Sequence, residues 1–425
     1  MCPKHKPSRT TQDRSASSRY LARSAEKTRL TAAPASNLGL VVAIPAFDEP
    51  DLSRTLRSLM DAASPTCAVE VIVLVNHPEN ASTALSERSE RLVTETHQWL
   101  QAQRCDSLTV HILGPVPLAA KHAGVGLARK TAMDEALRRL IDANAPDGII
   151  SCLDADCVVT TNYLQSIENK GKISKSVGAW TLAFEHPLDD PQLGVHITHY
   201  ELFLRYYRLG LVFAGSAHAV HTVGSSMAVR AHAYARQGGM NRRQAGEDFY
   251  FMQKLVDGEQ VENIAEATVF PSARLSHRVP FGTGKALSDA VERASGVGFY
   301  SPRTFADLKG FFDQLPVCFQ SGPKLFLDGL SEPLQDFLHG QNADSQLQEV
   351  RANVATLAAF ERRAKRWLNG FRAMKYARHA AEQYYPYEEP NAAVSTLNAW
   401  IGQREPKDLS LKGWLTHFRL LERTI

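Results

Sequence analysis

The stretch Ser151-Cys-Leu-Asp-Ala-Asp-Cys-Val-Val159 indicates both the fold class and the chemistry of this chain. Its apolar start is typical of a buried strand, and the strand ends in two carboxylates, Asp154 and Asp156, separated by one residue. Side chains two positions apart on a strand point the same way, so both carboxylates can turn toward one cation. Mg²⁺ and Mn²⁺ prefer such oxygen ligands and keep coordination positions for substrate phosphates. The stretch therefore predicts a divalent metal site at the end of a buried strand.

From residue 38 onward, apolar runs alternate with helical patterns, which is typical of a mostly parallel sheet covered by helices. The pattern predicts strands at 38–44, 69–75, 108–113, 148–153, 177–184 and 222–230, and helices at 52–62, 126–142, 193–212 and 247–257. Ligands of open α/β sheets bind outside the carboxyl ends of the strands. Asp48, Glu49 and Asn76 follow predicted strands, as the Asp pair does. We therefore expect one polar site along this edge of the sheet.

The basic charge of the chain lies in its first 37 residues. The whole chain carries a net charge of +3, but residues 1–37 contain eight basic and two acidic side chains. The rest is therefore slightly acidic and is not predicted to bind nucleic acid. Because residues 1–37 are poor in aromatic and branched apolar side chains, we predict a disordered basic tail whose deletion is nearly neutral. A transit peptide and an arm that contacts anionic lipid are the alternatives.

The remaining chain divides by its patterns into a catalytic domain at 38–283 and a helical C-terminal region at 284–425. The C-terminal region carries no chemical motif, and its basic clusters are typical of a solvated face, with a peripheral-membrane or partner surface as the alternative. No segment reaches 18 apolar residues, and the six cysteines are scattered without ligand spacing. We therefore expect a cytoplasmic protein, with peripheral membrane contact as the alternative.

Three motifs carry a resemblance to a known family. In chain order they are Ile44-Pro-Ala-Phe-Asp-Glu49, Asp154-Ala-Asp156 and Gly246-Glu-Asp248. Over residues 38–280 this arrangement resembles the family 2 glycosyltransferases of the A-type fold. The resemblance implies a Rossmann-like mixed sheet flanked by helices, a nucleotide-sugar donor and Mn²⁺ or Mg²⁺ as the cofactor.

The first motif is similar to the family's Pro-Ala-Tyr-Asn-Glu signature, with Phe47 and Asp48 in place of Tyr and Asn. The resemblance implies that Pro45, Phe47 and Glu49 contribute to the nucleotide site. It also implies that Asn76, where the family usually has an Asp, contacts the base or the ribose. An amide can still hydrogen-bond a base edge or a hydroxyl, but it carries no charge.

The resemblance also places ligands around the metal and the diphosphate. It implies that Asp156 binds the metal most directly, that Asp154 binds the metal or the ribose, and that His277 completes the shell. Arg274 or Arg278 is expected to hold the diphosphate. A surface-loop histidine is the alternative for His277.

A glycine-rich basic segment, Lys121-His-Ala-Gly-Val-Gly-Leu-Ala-Arg-Lys130, is similar to the segment of related transferases that contacts the donor. The resemblance implies that Lys121 and Arg129 bind the donor, with the glycines allowing a close approach of phosphate or sugar. A capped amphipathic helix is the alternative. Two further pairs, His196 with His199 and His218 with His221, suggest zinc, but four-ligand zinc sites usually include cysteines, and none lies nearby.

Asp248 resembles the catalytic carboxylate of the family, so the resemblance implies an inverting single displacement in which Asp248 deprotonates the acceptor and Glu247 supports it. The sequence thus predicts a hexosyltransferase-type enzyme acting on a hydroxyl of a saccharide, lipid or small-molecule acceptor. One alternative is a nucleotidyltransferase, which should have a glycine-rich loop where Pro45–Pro50 stands. The other is a non-catalytic sugar-nucleotide-binding subunit, against which the retention of Asp154, Asp156 and Asp248 argues.

Overall fold

The computed structural model describes residues 9–103, 107–275, 283–293 and 298–425. The chain forms two compact units. The first runs to Asp190 and resumes at Thr222–Ser288, and the second comprises Pro191–His221 and Asp289–Ile425. The predicted boundary near residue 284 is thus close to a boundary of the structure, but Pro191–His221 belongs with the C-terminal region rather than with the sheet.

The strands form one sheet. They are β1 (Leu38–Ala46), β2 (Ala68–Pro78), β3 (Thr109–Leu118), β4 (Ile149–Cys152), β5 (Val158–Val159), β6 (Val177–Phe184), β7 (Met227–Arg230) and β8 (Gln260–Phe270). Their order is β3-β2-β1-β4-β7-β6-β8-β5. Strands β1 to β4 pair in parallel, β7 runs antiparallel to both β4 and β6, and β6 pairs in parallel with β8. The carboxyl ends of β1, β2, β4, β6 and β8 therefore share one edge with the amino end of β7.

The helices of the described residues are α1 (Arg9–Arg23), α2 (Leu52–Met60), α3 (Thr83–Gln101), α4 (Val125–Asp142), α5 (Tyr163–Ile173), α6 (Gly194–Ala214), α7 (Ala231–Arg236), α8 (Glu247–Gly258), α9 (Thr283–Arg293), α10 (Arg303–Asp313), α11 (Leu315–Ser321), α12 (Pro323–Asp328), α13 (Glu332–Gly340), α14 (Ala343–Ala352), α15 (Leu357–Trp367), α16 (Gly370–Gln383), α17 (Pro390–Trp400) and α18 (Leu411–Leu421). No helix among the described residues is both long enough and apolar enough to cross a bilayer. The predicted mixed α/β sheet with a helical C-terminal region is confirmed.

Helix α4 is the central helix of the first unit. It packs on β1 and β2, and it is buried along nearly its whole length, including Arg129, Lys130, Asp134 and Glu135. Because a buried charge is costly unless it is paired, each of these side chains needs a partner in the structure. Two groups of partners supply them, one at the edge of the sheet and one from the N-terminal segment.

The N-terminal arm (residues 15–37) supplies the partners for the second half of α4. The Tyr20 hydroxyl donates to Asp134 Oδ1 at 2.7 Å, and the Glu26 amide donates to Asp134 Oδ2 at 2.7 Å. The Arg29 and Leu30 amides donate to the Glu135 carboxylate at 3.1 and 3.2 Å. The structure contradicts the predicted disorder of this segment. Composition did not predict the ordered arm, because the arm is held mainly by hydrogen bonds to buried acids rather than by apolar burial.

Candidate active site

The Asp pair lies in the turn that follows β4, at the edge where the strands end. Asp154, Asp156 and Cys157 each place one ligand atom within 4.8 Å of the others. The side chains of Asp154 and Asp156 are 40% and 23% exposed, so a cation can reach them. Burial raises the pKa of the Cys157 thiol well above its usual value, so the sulfur stays protonated and is a poor ligand. The two carboxylates fit Mg²⁺ or Mn²⁺, which prefer oxygen.

Burial and the neighbouring Asp154 raise the pKa of Asp156, although Arg274 and Ser272 act in the opposite direction. The Ser272 hydroxyl donates to Asp156 Oδ2 at 2.6 Å. A rise despite these two donors means that the protein neutralises the negative charge of the Asp pair only in part. A divalent cation is the kind of ligand that would complete the neutralisation.

Arg129 lies beneath the site and bridges three of its elements. Its Nη2 donates to Asp154 Oδ1 at 2.8 Å, its Nε to Glu247 Oε1 at 3.0 Å and its Nη1 to the Gly224 carbonyl at 3.0 Å. Burial opposes its charge, but Asp154 and Glu247 outweigh that effect and hold the pKa of Arg129 well above its usual value. Arg129 is 1% exposed. Its guanidinium is therefore engaged with protein groups and positions the acids.

The space beside the two glycines before Arg129 is occupied by protein backbone. A Cβ at Gly124 would lie 2.6 Å from the Gln244 Cα, and one at Gly126 would lie 2.1 Å from the Arg243 carbonyl oxygen. These glycines let the loop before α8 pack directly on the start of α4, so packing explains them without a phosphate. Lys121, the other donor-binding candidate of this segment, is exposed, and its side chain has no hydrogen-bond or ion-pair partner among the described residues.

Glu247 and Asp248 open α8 after Gly246, which adopts a φ of 68° that favours glycine. Glu247 is buried against Arg129, whereas Asp248 accepts the Phe249 amide through Oδ1 at 2.7 Å. A Cβ at Gly224 would lie only 3.2 Å from Asp248 Oδ2 and 2.7 Å from Arg129 Nη2, so this position too requires a glycine.

The two acids share a raised proton affinity. Burial, together with the charge of Glu247, raises the pKa of Asp248 to about 7, and burial also raises the pKa of Glu247. A carboxylate with a pKa near neutrality can both accept and release a proton under working conditions. Asp248 therefore has the proton affinity that a general base needs.

Arg274 follows β8 and pairs with two acids. Its Nη1 donates to Glu49 Oε1 at 2.8 Å, and its Nη2 bonds to Glu49 Oε2 and lies 3.0 Å from Asp156 Oδ2. The Glu49 side chain is 3% exposed, so it anchors this guanidinium from the first motif. His277 and Arg278, three and four residues further on, lie outside the described residues.

Asn76 at the end of β2 and the remaining residues of the first motif at the end of β1 complete the set of predicted nucleotide-binding residues. Asn76 is buried at 4% exposure, and its Oδ1 has no hydrogen-bond partner among the described residues. Asp48 takes a φ of 48° and pairs with Arg88 through two bonds of 2.8 and 2.9 Å. Pro45 is buried within β1, and Phe47 is half-buried. A buried amide oxygen without a partner is rare in proteins and points to a ligand donor at this position.

The histidine pairs do not form a zinc site among the described residues. His221 Nε2 lies 2.9 Å from a Glu422 carboxylate oxygen, and the His199 ring packs edge-on against Phe299 at 5.2 Å between centroids. In the part of the chain described, one cluster of at least three metal-ligating side chains lies close enough together to hold an ion, and it consists of Asp154, Asp156 and Cys157. Ser272 as a partner of Asp156 and the double role of Arg129 were not predicted, because each depends on residues far away in sequence.

Comparisons with known proteins give remote structural similarities. S. aureus TarS (residues 1–349) in complex with UDP-GlcNAc matches with a TM-score of 0.40 and 12% identity, over 76% of this chain and 90% of that chain. The mannosyltransferase PcManGT from Pyrobaculum calidifontis, in complex with GDP-Man and Mn²⁺, matches with a TM-score of 0.35 and 15% identity, over 98% and 94%. No protein-family model and no curated protein sequence matches the chain.

Proposed function

We propose that the chain is an inverting, metal-dependent glycosyltransferase that moves a hexosyl group from a nucleotide sugar to an acceptor hydroxyl. One observation carries the proposal: Arg129 joins the Asp pair and the Glu247-Asp248 pair at one edge of the sheet. A metal-suited site for the leaving diphosphate thus lies beside a carboxylate whose pKa is about 7. Glycosyl transfer needs both groups, because the donor releases an anionic nucleoside diphosphate and the acceptor hydroxyl releases a proton.

Asp248 is the base in this mechanism. The acceptor oxygen attacks the anomeric carbon while the bond from that carbon to the β-phosphate oxygen breaks, and the electron pair leaves with the nucleoside diphosphate. The acceptor proton passes to Asp248, through Oδ2, because Oδ1 accepts the Phe249 amide. A single displacement inverts the anomeric centre. Glu247 acts indirectly, since its negative charge raises the pKa of Asp248.

The other residues bind and orient. When bound at Asp154 and Asp156, Mn²⁺ or Mg²⁺ supplies a positive charge for the diphosphate oxygens. Arg129 holds Asp154 and Glu247 in a fixed relation through its three bonds. Asn76 Oδ1 can accept a hydrogen bond from the nucleobase or ribose, and Phe47 of the first motif offers a half-buried aromatic side chain.

A nucleotidyltransferase also needs paired acids for a metal, but the polar residues after β1 form no glycine-rich phosphate loop, and Glu49 is instead held by Arg274. A non-catalytic sugar-nucleotide-binding subunit has no use for a base. The raised pKa of Asp248 therefore favours the enzyme over the binding subunit. The acceptor class, whether saccharide, lipid or small molecule, is a matter for the assay.

The test is a screen of UDP- and GDP-sugars by thermal shift, with Mn²⁺ and with a chelator, followed by NMR of the product. We expect one nucleotide class to raise the melting temperature only with metal, and the product to have the opposite anomeric configuration to the donor. Asp156→Ala should abolish the metal-dependent shift. The same nucleotide affinity in chelator and in Mn²⁺ would refute metal dependence, and a retained configuration would refute the role of Asp248.

A further inference from the structure

Charge in the candidate active site is shared between two arginines, each of which bridges two acids. Arg129 joins Asp154 to Glu247, and Arg274 joins Asp156 to Glu49. The four carboxylates that the arginines bridge exceed the two guanidinium groups by two negative charges, before Asp248 is counted, and a divalent cation would offset these two. The two arginines differ in freedom, because the Arg129 side chain is 2% exposed and that of Arg274 is 30% exposed.

Arg274 contacts one of the two Asp156 oxygens that could bind a cation. Asp156 Oδ2 lies 3.0 Å from Arg274 Nη2 and accepts the Ser272 hydroxyl at 2.6 Å, so this oxygen already has two donors. The other oxygen, Oδ1, lies 3.7 Å from the Cys157 sulfur. A cation that engages Oδ2 must therefore compete with the guanidinium.

Glu49 gives Arg274 a second attachment that survives this competition. Nη1 donates to Glu49 Oε1 at 2.8 Å, and the Glu49 side chain is buried. A guanidinium carries five N–H donors in a fixed planar fork, so it can release Asp156 through Nη2 and keep Glu49 through Nη1. The released donors are then available to another anion, such as the diphosphate of the proposed reaction.

We infer that Arg274 is the resident counter-ion of Asp156, and that it exchanges this carboxylate for the donor diphosphate when a divalent cation binds. The inference rests on the proposed function. Metal alone must compete with Arg274 for Asp156 Oδ2 and binds weakly, whereas metal and nucleoside diphosphate together offer the guanidinium a new anion. Metal and nucleotide therefore bind with positive coupling, and Arg274 is the residue that couples them.

The experiment measures Mn²⁺ affinity by electron paramagnetic resonance of the free ion, without nucleotide and with saturating UDP or GDP. In the natural chain we expect nucleotide to tighten Mn²⁺ binding about tenfold or more, the scale of an ordinary coupling free energy. Arg274→Gln should bind Mn²⁺ alone about tenfold more tightly, and nucleotide should then add little. Arg236→Gln is the matched control, because Arg236 forks Glu259 with bonds of 3.0 and 2.9 Å in the same unit and should leave both affinities unchanged.

Arg274→Lys guards against loss of folding, since it keeps a charge beside the buried Glu49 but removes the fork. We expect an intermediate Mn²⁺ affinity and reduced coupling from this variant. Unchanged Mn²⁺ affinity and intact coupling in both Arg274 variants, with Asp156→Ala still abolishing binding, would overturn this inference and leave the proposed function standing. Failure of the natural chain to bind Mn²⁺ at all would overturn both.

Discussion

Each unit contains a cluster of buried and half-buried charged side chains, and the two clusters differ in whether acids or arginines are in excess. The edge cluster of the first unit consists of Glu49, Arg129, Asp154, Asp156, Glu247, Asp248 and Arg274. The second-unit cluster consists of Glu201, Arg205, Arg208, His221, Arg419 and Glu422. Acids outnumber arginines five to two in the first, and arginines outnumber acids three to two in the second.

The pKa values follow this imbalance. Burial and Glu247 raise the pKa of Asp248 to about 7. In the second-unit cluster, burial acts in the same direction, but His221 and Arg205 outweigh it and lower the pKa of Glu422 to about 2. A buried acid with excess cations around it is locked in its charged form and acts as a structural tie. A half-buried acid among other acids, such as Asp248, has a raised pKa and can exchange a proton near neutral pH.

The largest effect should come from removing the base of the edge cluster. Asp248→Asn keeps the shape and the bond to the Phe249 amide but cannot take a proton, so transfer should fall about 10²–10⁴-fold while nucleotide binding is retained. Steady-state kinetics and nucleotide titration of the same preparation measure both quantities. Glu247→Gln should cost less, since Glu247 acts through the pKa of Asp248. Near-normal turnover of the Asp248 variant would show that the acid excess has no catalytic use.

Substitutions in the second-unit cluster should lower the free energy of unfolding. Glu422→Gln leaves Arg205 and Arg208 short of a buried counter-charge, and breaking such a pair typically costs about 3–5 kcal/mol of unfolding free energy. Urea unfolding checks this value. Asp313→Asn is the control, because its pair with Lys309 is exposed and should contribute less than about 1 kcal/mol. Equal losses from the two variants would contradict the structural role of the cluster.

The N-terminal arm should contribute to the stability of the fold, although its sequence predicts a dispensable tail. Deleting residues 1–31 removes the Tyr20 and Glu26 donors to Asp134 and the arm's donors to Glu135, whereas Asp134 keeps Lys130 and Tyr234. Each buried carboxylate left short of partners costs about 1–3 kcal/mol, so we expect a loss toward the lower end of about 2–6 kcal/mol. Chemical denaturation is the measurement. Tyr20→Phe should reproduce part of the loss, whereas Arg19→Ala removes only an exposed bond to Ser15 and should be neutral. An unchanged unfolding midpoint after the deletion would restore the predicted dispensable tail.

The smallest effect concerns the cost of the raised pKa of Asp248. Its native pKa of about 7 lies above the ordinary value of 3.8, so the folded protein binds more protons, and stability from this group is lost as pH rises from about 4 through 7. Asp248→Asn should therefore raise the melting temperature at pH 8, by about 2–4 °C for each kcal/mol of this cost in a unit of this size. The gain should shrink as the pH falls to 5. A variant that melts lower than the natural chain at pH 8 would contradict the direction of the shift.

Local apolar patterns predicted most strands of the sheet, but elements without a clear pattern were not predicted. Strand β6 matches its predicted bounds, and β1, β2 and β4 lie within two to three residues of theirs, because continuous apolar runs mark strands buried on both faces. Strand β8 and helix α3 were not predicted, since β8 interleaves polar residues and α3 has few buried side chains. The N-terminal arm was misjudged for a related reason, as its partners are acids more than 100 residues away.

The same division applies to the site. Local pattern predicted that Asp154 and Asp156 lie at the end of a strand, and the family resemblance implied that Glu247 and Asp248 belong to the same site. The glycines at 124 and 126 were predicted to face a ligand but face the backbone of the loop before α8. Which neighbour fills the space beside a glycine is a property of packing, and no local spacing reveals it.

By itself the sequence determined the alternation of strands and helices, and hence the edge on which the acids lie, because backbone preferences and apolar periodicity act over a few residues. Only the tertiary structure decided how these charges are paired. It joined Arg129 to Asp154 and Glu247, Arg274 to Glu49 and Asp156, and α6 to α18 through Glu201 and Arg419. Buried charges take the partners that the fold brings within about 3 Å, and those partners lie 25 to more than 200 residues away along the chain. Electrostatic free energy depends on that distance in space, to which the order of residues gives no direct access.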